Sequence, residues 1–548
     1  MADTDSGLDD ARLKDTYAEA DLQKLGYKQE MTRTRGLFHM LFIILDLFQT
    51  RSSSSSPFKL SWPSPHLSSE ADPRLSFGGK SPSFSLFRAK LTTIDSWVLV
   101  SFLTFPLACS LGEICAKYPT SAGAYYWCFR LAPPKHRLLV SWINGWLTMV
   151  GVWTVSLSVT FGTAQLVVAG AGIYAPDLGL KPWHTYVIFL GVTAVTVFFC
   201  IFGNSILPTI DTISAYWTLL GVIVILVATS AKAASGRHSA AFALGHFDAS
   251  PSGWTPGWGF FIGLLPPGRS RPYTFSAIGM IASMAEEVHD PSHDLPRAIT
   301  WSIPIGFLTG VVFLVPLLFT LPDIATLLAV TSGQPIGVMF ELIMGSKGGG
   351  FGLWFIIFGI GMFCAISISC AASRATWAFA RDSAIPFPST FSRVNPHLGG
   401  GSGVPLNAIL LSTTIQLLLG LIYLGSSAAF NAFVGVAVMC LGASYAMPVA
   451  LSLYAGRSEV RDSPFSLGRW GPALNGLAVL WVVFEMVLFS MPAVVPVTTV
   501  SMNYASVVFV GFGTFSGVWY LVGGRHRYKG PPLPESDTEA ESPREIEK

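Results

Sequence analysis

From Thr92 onward the chain repeats one pattern, a long apolar segment followed by a short polar loop. A helix needs roughly 20 apolar residues to cross a hydrocarbon core, and segment after segment meets that length. The expected spans are Thr92–Ile114, Leu138–Ala164, Thr185–Phe202, Ile213–Ala231, Gly257–Ala285, Ala298–Leu321, Gly352–Phe379, Leu406–Leu424, Ala428–Tyr454, Leu474–Ser490 and Val500–Val522. Charged residues make up only 12% of the chain, against about 25% in soluble domains. The sequence therefore specifies an all-α polytopic membrane protein. The net charge of +2 creates no basic field for nucleic acid. The seven cysteines lie in or beside apolar segments without CxxC spacing and read as small apolar fillers.

Charge bias sets the sides. Lys117, Arg130, Lys135 and Arg137 fall in one loop, Arg374, Arg381 and Arg393 around a second, Arg457, Arg461 and Arg469 in a third, and Arg525, Arg527 and Lys529 follow the last span. An up-down path puts all four groups in the cytoplasm. Lys24, Lys28, Arg33 and Arg35 place the N-terminal segment there too, which requires one more span before Thr92 and twelve in all. That span begins as GLFHMLFIIL at Gly36, then gives way to Asp46 and a Ser/Pro-rich stretch reaching about Lys90. The chain thus divides into a cytoplasmic tail (1–35), a disrupted first helix with a Ser/Pro-rich insert (36–91), a transmembrane domain (92–523) and a second cytoplasmic tail (524–548). Residues 1–23 and 530–548 are polar enough to be disordered.

Three loop motifs carry chemistry. In SLGEICAKYPTSAGAYYW, Ser110–Trp127, one carboxylate ends a helix before a Tyr-Pro break. It reads either as a functional loop or as a capped terminus with aromatics at the headgroup level. In MAEEVHDPSHDLPRAITWS, Met284–Ser302, the acid/base cluster forms either a gate of ion pairs or a solvated loop. Its His289 and His293 are separated by Pro291, which denies them the helical face a metal site would need. SRATWAFARDSAIPFP, Ser373–Pro388, reads as a basic amphipathic exit lying on the membrane surface.

Taken in order, these motifs resemble the amino acid–polyamine–organocation superfamily, and within it the fungal amino acid, GABA and choline permeases. The resemblance extends to APPK at Ala132–Lys135, the S-W-I-x-G-W pattern at Ser141–Trp146 and V-P-x-N-A at Val404–Ala408. It implies an inverted repeat of five plus five helices with two more (LeuT-like), and a substrate held mid-membrane between discontinuous first and sixth helices. Unwound backbone at that depth is tolerated only where it lines a cavity. The family's unwound stretch matches Tyr273–Gly279, so Thr274, Phe275, Ser276, Ala277, Ile278 and Gly279 are expected to bind substrate, with Phe275 as a gate. Many relatives carry a carboxylate where Ile278–Gly279 stands, and its absence fits a neutral or zwitterionic amine better than a polyamine.

Two departures fall on the helices that build that site. GRSR, Gly268–Arg271, stands where relatives run directly into the aromatic, and residues 46–90 replace the glycine-rich break of the first helix. Both read as foreign sequence, such as translated intron, or as an isoform without a working site. The functional expectation is a secondary active transporter moving an amino acid, GABA, choline or a similar amine, coupled to protons, in the plasma membrane or else the vacuolar membrane. The alternative is a non-transporting sensor or inactive paralogue. Coupling and gating residues are expected among Glu113, Asp211, Glu286, Glu287, Ser367 and Ser369. The three acids Glu113, Asp211 and Glu286 lie near helix ends, where solvation is the simpler account. No cofactor or metal is expected. No enzyme motif appears: HExxH and GxSxG are absent, and Gly79-Lys80-Ser81 lacks the upstream glycine of a P-loop.

Overall fold

The computed structural model describes residues 14–41, 92–175, 180–244, 253–264, 277–323, 326–327, 330, 334–401, 403–492, 495–497 and 502–532. Among them there is no β-sheet, only two isolated bridges, and 10 helices are long and apolar enough to cross a membrane. These helices are α1 (Thr92–Lys117), α2 (Arg137–Tyr174), α3 (Pro182–Phe202), α4 (Leu207–Lys232), α5 (Pro291–Phe319), α6 (Lys347–Arg381), α7 (Leu406–Gly425), α8 (Ser427–Tyr454), α9 (Gly471–Ser490) and α10 (Ala505–Trp519), the last continued by further helical turns to Arg527. Each coincides with an expected span, and several run past it. Helix α2 continues beyond Ala164 because Gln165, Leu166, Val168, Ala169 and Gly170 are buried against protein.

The expected first and sixth spans lie partly outside the described residues. Of the first, residues 37–41 are helical. Of the sixth, Pro256–Leu264 is α-helical and Ile278–Glu287 is a 3-10 helix. Thr274, Phe275 and Ser276, the GRSR segment and the Ser/Pro stretch lie outside the described residues.

The physical logic of the bundle is that of a membrane solvent. Phe198, Leu220, Leu418, Leu480, Val510 and Phe515 face outward, while Trp183, Tyr174 and Trp470 are exposed at helix ends, as an interfacial belt requires. Hydroxyls inside the bundle return to their own helix, as Ser101 does to Trp97 O (2.6 Å), Thr154 to Val150 O (2.6 Å) and Thr229 to Ile225 O (2.7 Å). Polar contacts also join helices. Trp354 Nε1 of α6 donates to Leu166 O of α2 (2.7 Å), and Trp153 Nε1 of α2 to Thr376 Oγ1 of α6 (3.0 Å). The most extensive packing pairs α1 with α5 and α2 with α6. Counted with the first and sixth spans, these are the second with the seventh and the third with the eighth helices, the partners that a repeat of five relates. Gly310 of α5 lets the Trp97 indole of α1 lie directly against its backbone, where any Cβ would collide.

Candidate functional site

Outside the spans, a short N-terminal helix over residues 14–24 leads into an extended segment. Part of the stretch expected to be disordered is therefore folded. The extended segment pairs with the chain just past the 3-10 helix. Thr34 N and Arg35 N both donate to Glu287 O (2.9 and 2.9 Å), and His289 N donates to Arg35 O (3.0 Å). Gln29 Nε2 adds a bond to Glu286 O (2.7 Å), and Arg33 Nη1 one to Val288 O (2.5 Å).

This pairing drives Arg35 into the bundle, where it is only 2% exposed. Its Nη1 meets Asp211 Oδ2 at 2.5 Å and its Nε meets Glu287 Oε2 at 3.1 Å. Arg374 of α6, fully buried, takes the other oxygen of Glu287 at 2.6 Å and donates to Asn204 Oδ1 (2.6 Å). Ser367 Oγ donates to Asp211 Oδ1 (3.1 Å). Two cations and two carboxylates thus compensate one another in a dry site, the condition under which buried charge is tolerated. The cluster joins the N-terminal segment, the 3-10 helix, α4 and α6.

A second layer lies beside it. Arg381 Nη1 pairs with Glu286 Oε1 (2.9 Å), and its guanidinium lies 4.3 Å from the ring centroids of both Tyr27 and Trp377. Asp382, the residue after α6, accepts hydrogen bonds from Tyr27 and Tyr125 hydroxyls at 2.8 Å each. Burial pushes the Asp382 carboxyl above the ordinary carboxylate range, with Arg381 and the two hydroxyls pulling the other way. Burial, with the Asp382 charge adding to it, raises both tyrosines well above their usual range, so they remain neutral donors.

The structure sorts the expected site residues. Asp211, Glu287 and Ser367 meet in the first layer and Glu286 in the second. Glu113 stands apart: Arg457 Nη2 reaches both its oxygens (2.5 and 2.7 Å), and Leu467 N donates to one of them (2.8 Å). Ser369, two residues from Ser367 and so on another face of α6, lies 3.4 Å from Ser156 Oγ of α2. Ala277, Ile278 and Gly279 are buried where the 3-10 helix begins. A Cβ on Gly279 would come within 2.6 Å of the Tyr445 ring of α8.

Several expectations need correcting. Glu113, Asp211 and Glu286 are not solvated at helix ends but 0%, 2% and 1% exposed, because each has a guanidinium partner. Tyr125, Tyr126 and Trp127 are core residues rather than an interfacial belt, since they lie on a short helix, Ala124–Leu131, packed against α2 and α8. Ser373–Arg381 is no surface helix: it is the buried last part of α6, held inside by the two carboxylates of the 3-10 helix. His289 pairs with Asp15 and His293 with Asp290, and the described residues contain no metal-binding group. Sequence reasoning missed Arg35, Arg374, Arg381 and Arg457, counting each only as loop charge. The available signal was the seven-residue spacing of Arg374 and Arg381, which places them on one helical stripe.

Mutually compensated charges buried within a bundle of long apolar helices define a polytopic membrane protein. The chain belongs to the amino acid permease family, whose model matches residues 79–512, within the amino acid–polyamine–organocation superfamily. It is 33% identical to a protein named choline transporter of Saccharomyces cerevisiae, over 81% of this chain and 76% of that one. Amino-acid permease BAT1 of Arabidopsis thaliana is 30% identical over 93% and 95% of the two chains. Polyamine transporter TPO5 of S. cerevisiae is 32% identical over 77% and 68%.

Proposed function

We propose that the chain carries a small amine, an amino acid or a compound such as choline or GABA, across the plasma membrane by alternating access with proton coupling. The observation that carries this reading is the Arg35–Asp211–Glu287–Arg374 cluster. Its charge pairs tie an N-terminal segment to three elements of the bundle, and a carrier must close one face in this way before opening the other. With the basic loops in the cytoplasm, the conformation is the one sealed on the cytoplasmic side. Substrate then lies at the start of the 3-10 helix, at Thr274–Gly279. The stretch Ala277–Gly279 offers no carboxylate, so a neutral or zwitterionic amine suits it better than a polyamine. Asp211, Glu286 and Glu287 each face a guanidinium and in this reading serve closure rather than proton carriage, while Glu113, paired with Arg457, braces the end of α1.

The test is uptake of radiolabelled choline, GABA, an amino-acid mixture and putrescine by vesicles holding the purified full-length chain. Saturable uptake of one of the first three, competed by its analogues, is expected. Absence of uptake for all four, from protein that elutes as a folded monodisperse species, would favour a non-transporting sensor.

A further inference from the structure

Glu485 is the one carboxylate of the described spanning helices that lies on a buried stripe, together with Asn475, Ala478, Trp481, Val482 and Leu488, yet meets no hydrogen-bond or ion-pair partner among the described residues. It is 8% exposed. It lies five residues, about 7.5 Å of helix, from the end of α9 remote from the basic loops. An uncompensated carboxylate at such a depth is strongly disfavoured, so its charge must be met by a proton or a cation.

The surroundings decide between these. Ser110 Oγ of α1 donates to Asn475 Oδ1 of α9 (2.8 Å), which sets the register of two antiparallel helices. Ten residues further along each, Glu485 stands level with Val100–Thr104. The Thr104 hydroxyl, and the Trp481 indole N–H one turn from Glu485, are buried and without partners among the described residues. The indole N–H can only donate, and Thr104 adds a single hydroxyl oxygen where a bound cation would need several oxygen ligands, so a proton is the simpler way to meet the charge. The titratable groups on the packed helices lie elsewhere. Helix α1 carries Glu113, held by Arg457, with Cys109, Cys115 and Lys117 toward the basic end, and Asp95, whose side chain lies outside the described residues. Helix α8 carries Cys440, Tyr445 and Tyr454 but no charged residue, and α10 carries none. Next in sequence, Phe484 packs edge-on against Phe261 (centroids 5.1 Å) of the half-helix Pro256–Leu264 that leads toward the expected substrate stretch.

We propose that Glu485 is the proton-binding site of the transport cycle, a reading that rests on the transport function above. Protonation favours the dry packing seen here, in which α9 meets the half-helix. Deprotonation favours an arrangement that brings water, or the Thr104 and Trp481 donors, to the carboxylate. Acid on the side remote from the basic loops therefore populates the state sealed at the basic end, ready to load substrate from outside.

Two measurements on the full-length chain test this. Purified protein is treated with a hydrophobic carbodiimide, which attacks protonated carboxyls, and the site of addition is read by peptide mass. Labelling of Glu485 that falls as pH rises is expected, and absence of labelling at acid pH overturns the proposal. In vesicles, wild-type uptake is expected to rise several-fold, and to become concentrative, when external pH drops from about 7.5 to about 5.5, a range open to buried carboxyls. Glu485→Gln, which mimics the protonated acid, is expected to keep counterflow exchange of preloaded substrate while losing the pH response. A variant with the wild-type pH response overturns the proposal and leaves the transport reading intact. A wild-type chain that moves none of the four solutes overturns both.

Discussion

Arg35 reaches two carboxylates from distant parts of the chain, Asp211 and Glu287, with different nitrogens of one guanidinium. Lysine could satisfy only one of them as a point charge. Removing one partner of a buried pair costs about 3–5 kcal/mol, and 1.4 kcal/mol is a tenfold change in an equilibrium. Arg35→Ala should therefore raise the population opened at that end by roughly 100- to 1,000-fold or more, with Arg35→Lys in between. Cys370, buried 4.0 Å from Arg35 Nη2, supplies the readout: its alkylation by a thiol reagent should accelerate in that order. Equal rates in all three proteins would mean that Arg35 merely holds the fold. Gly279 tests the neighbouring step. A methyl group there meets the Tyr445 ring, and overpacking of this kind costs about 1–3 kcal/mol. Gly279→Ala is expected to lower uptake at least tenfold while leaving Cys370 alkylation unchanged, and unimpaired uptake would remove Gly279 from the substrate region.

In the proposed cycle two short elements are the movable parts, the extended segment around Arg35 and the 3-10 helix Ile278–Glu287. The 3-10 helix is tied to α6 by Ser283 Oγ donating to Ala371 O (3.1 Å) and by the carboxylates at its end. The N-terminal segment is anchored upstream by Tyr27, which shares Asp382 with Tyr125. Losing a donor to a buried carboxylate costs about 1–3 kcal/mol, so Tyr27→Phe and Tyr125→Phe should each lower the midpoint of thermal unfolding. The double variant should cost more than their sum, because Asp382 then keeps no hydroxyl donor; strict additivity would indicate that water replaces the missing groups. This is also where sequence reading reached its limit. The spans were legible because apolar length is a local property, and the acids Glu113, Asp211, Glu286 and Glu287 stood out because carboxylates are rare there. Their partners did not, since Arg35 lies 176 residues from Asp211 and 252 from Glu287, and no local window joins them. Without those partners, solvation was the cheaper account of each charge, and Arg374 and Arg381 were read as loop residues. The site stretch Thr274–Ser276 was named from resemblance alone.

Among the described residues the buried ion pairs divide into two kinds. The Arg35 cluster ties an N-terminal segment and a 3-10 helix to α4 and α6, elements that must part if the basic end is to open. The Glu113–Arg457 pair ties the end of α1 to the connection between α8 and α9, and Ser463 Oγ fastens the same connection to Glu113 O (2.8 Å). Gly471 at the start of α9 leaves room for that guanidinium, since a Cβ there would overlap it. Nothing in this second arrangement spans the plug, so it should travel with its helices as a rigid strut. The two kinds are separable by experiment. Arg457→Met leaves Glu113 buried without its cation and should cost about 3–5 kcal/mol of stability, lowering the unfolding midpoint while Cys370 alkylation stays at the wild-type rate. Glu113→Gln combined with Arg457→Met should recover part of the loss, because no bare charge is then left inside. Arg35→Ala, by contrast, should change alkylation more than stability, since its carboxylates can reach water once the end opens. If Arg457→Met also accelerates Cys370, strut and plug are one cooperative unit, and closure of this end is a property of the whole bundle rather than of four side chains.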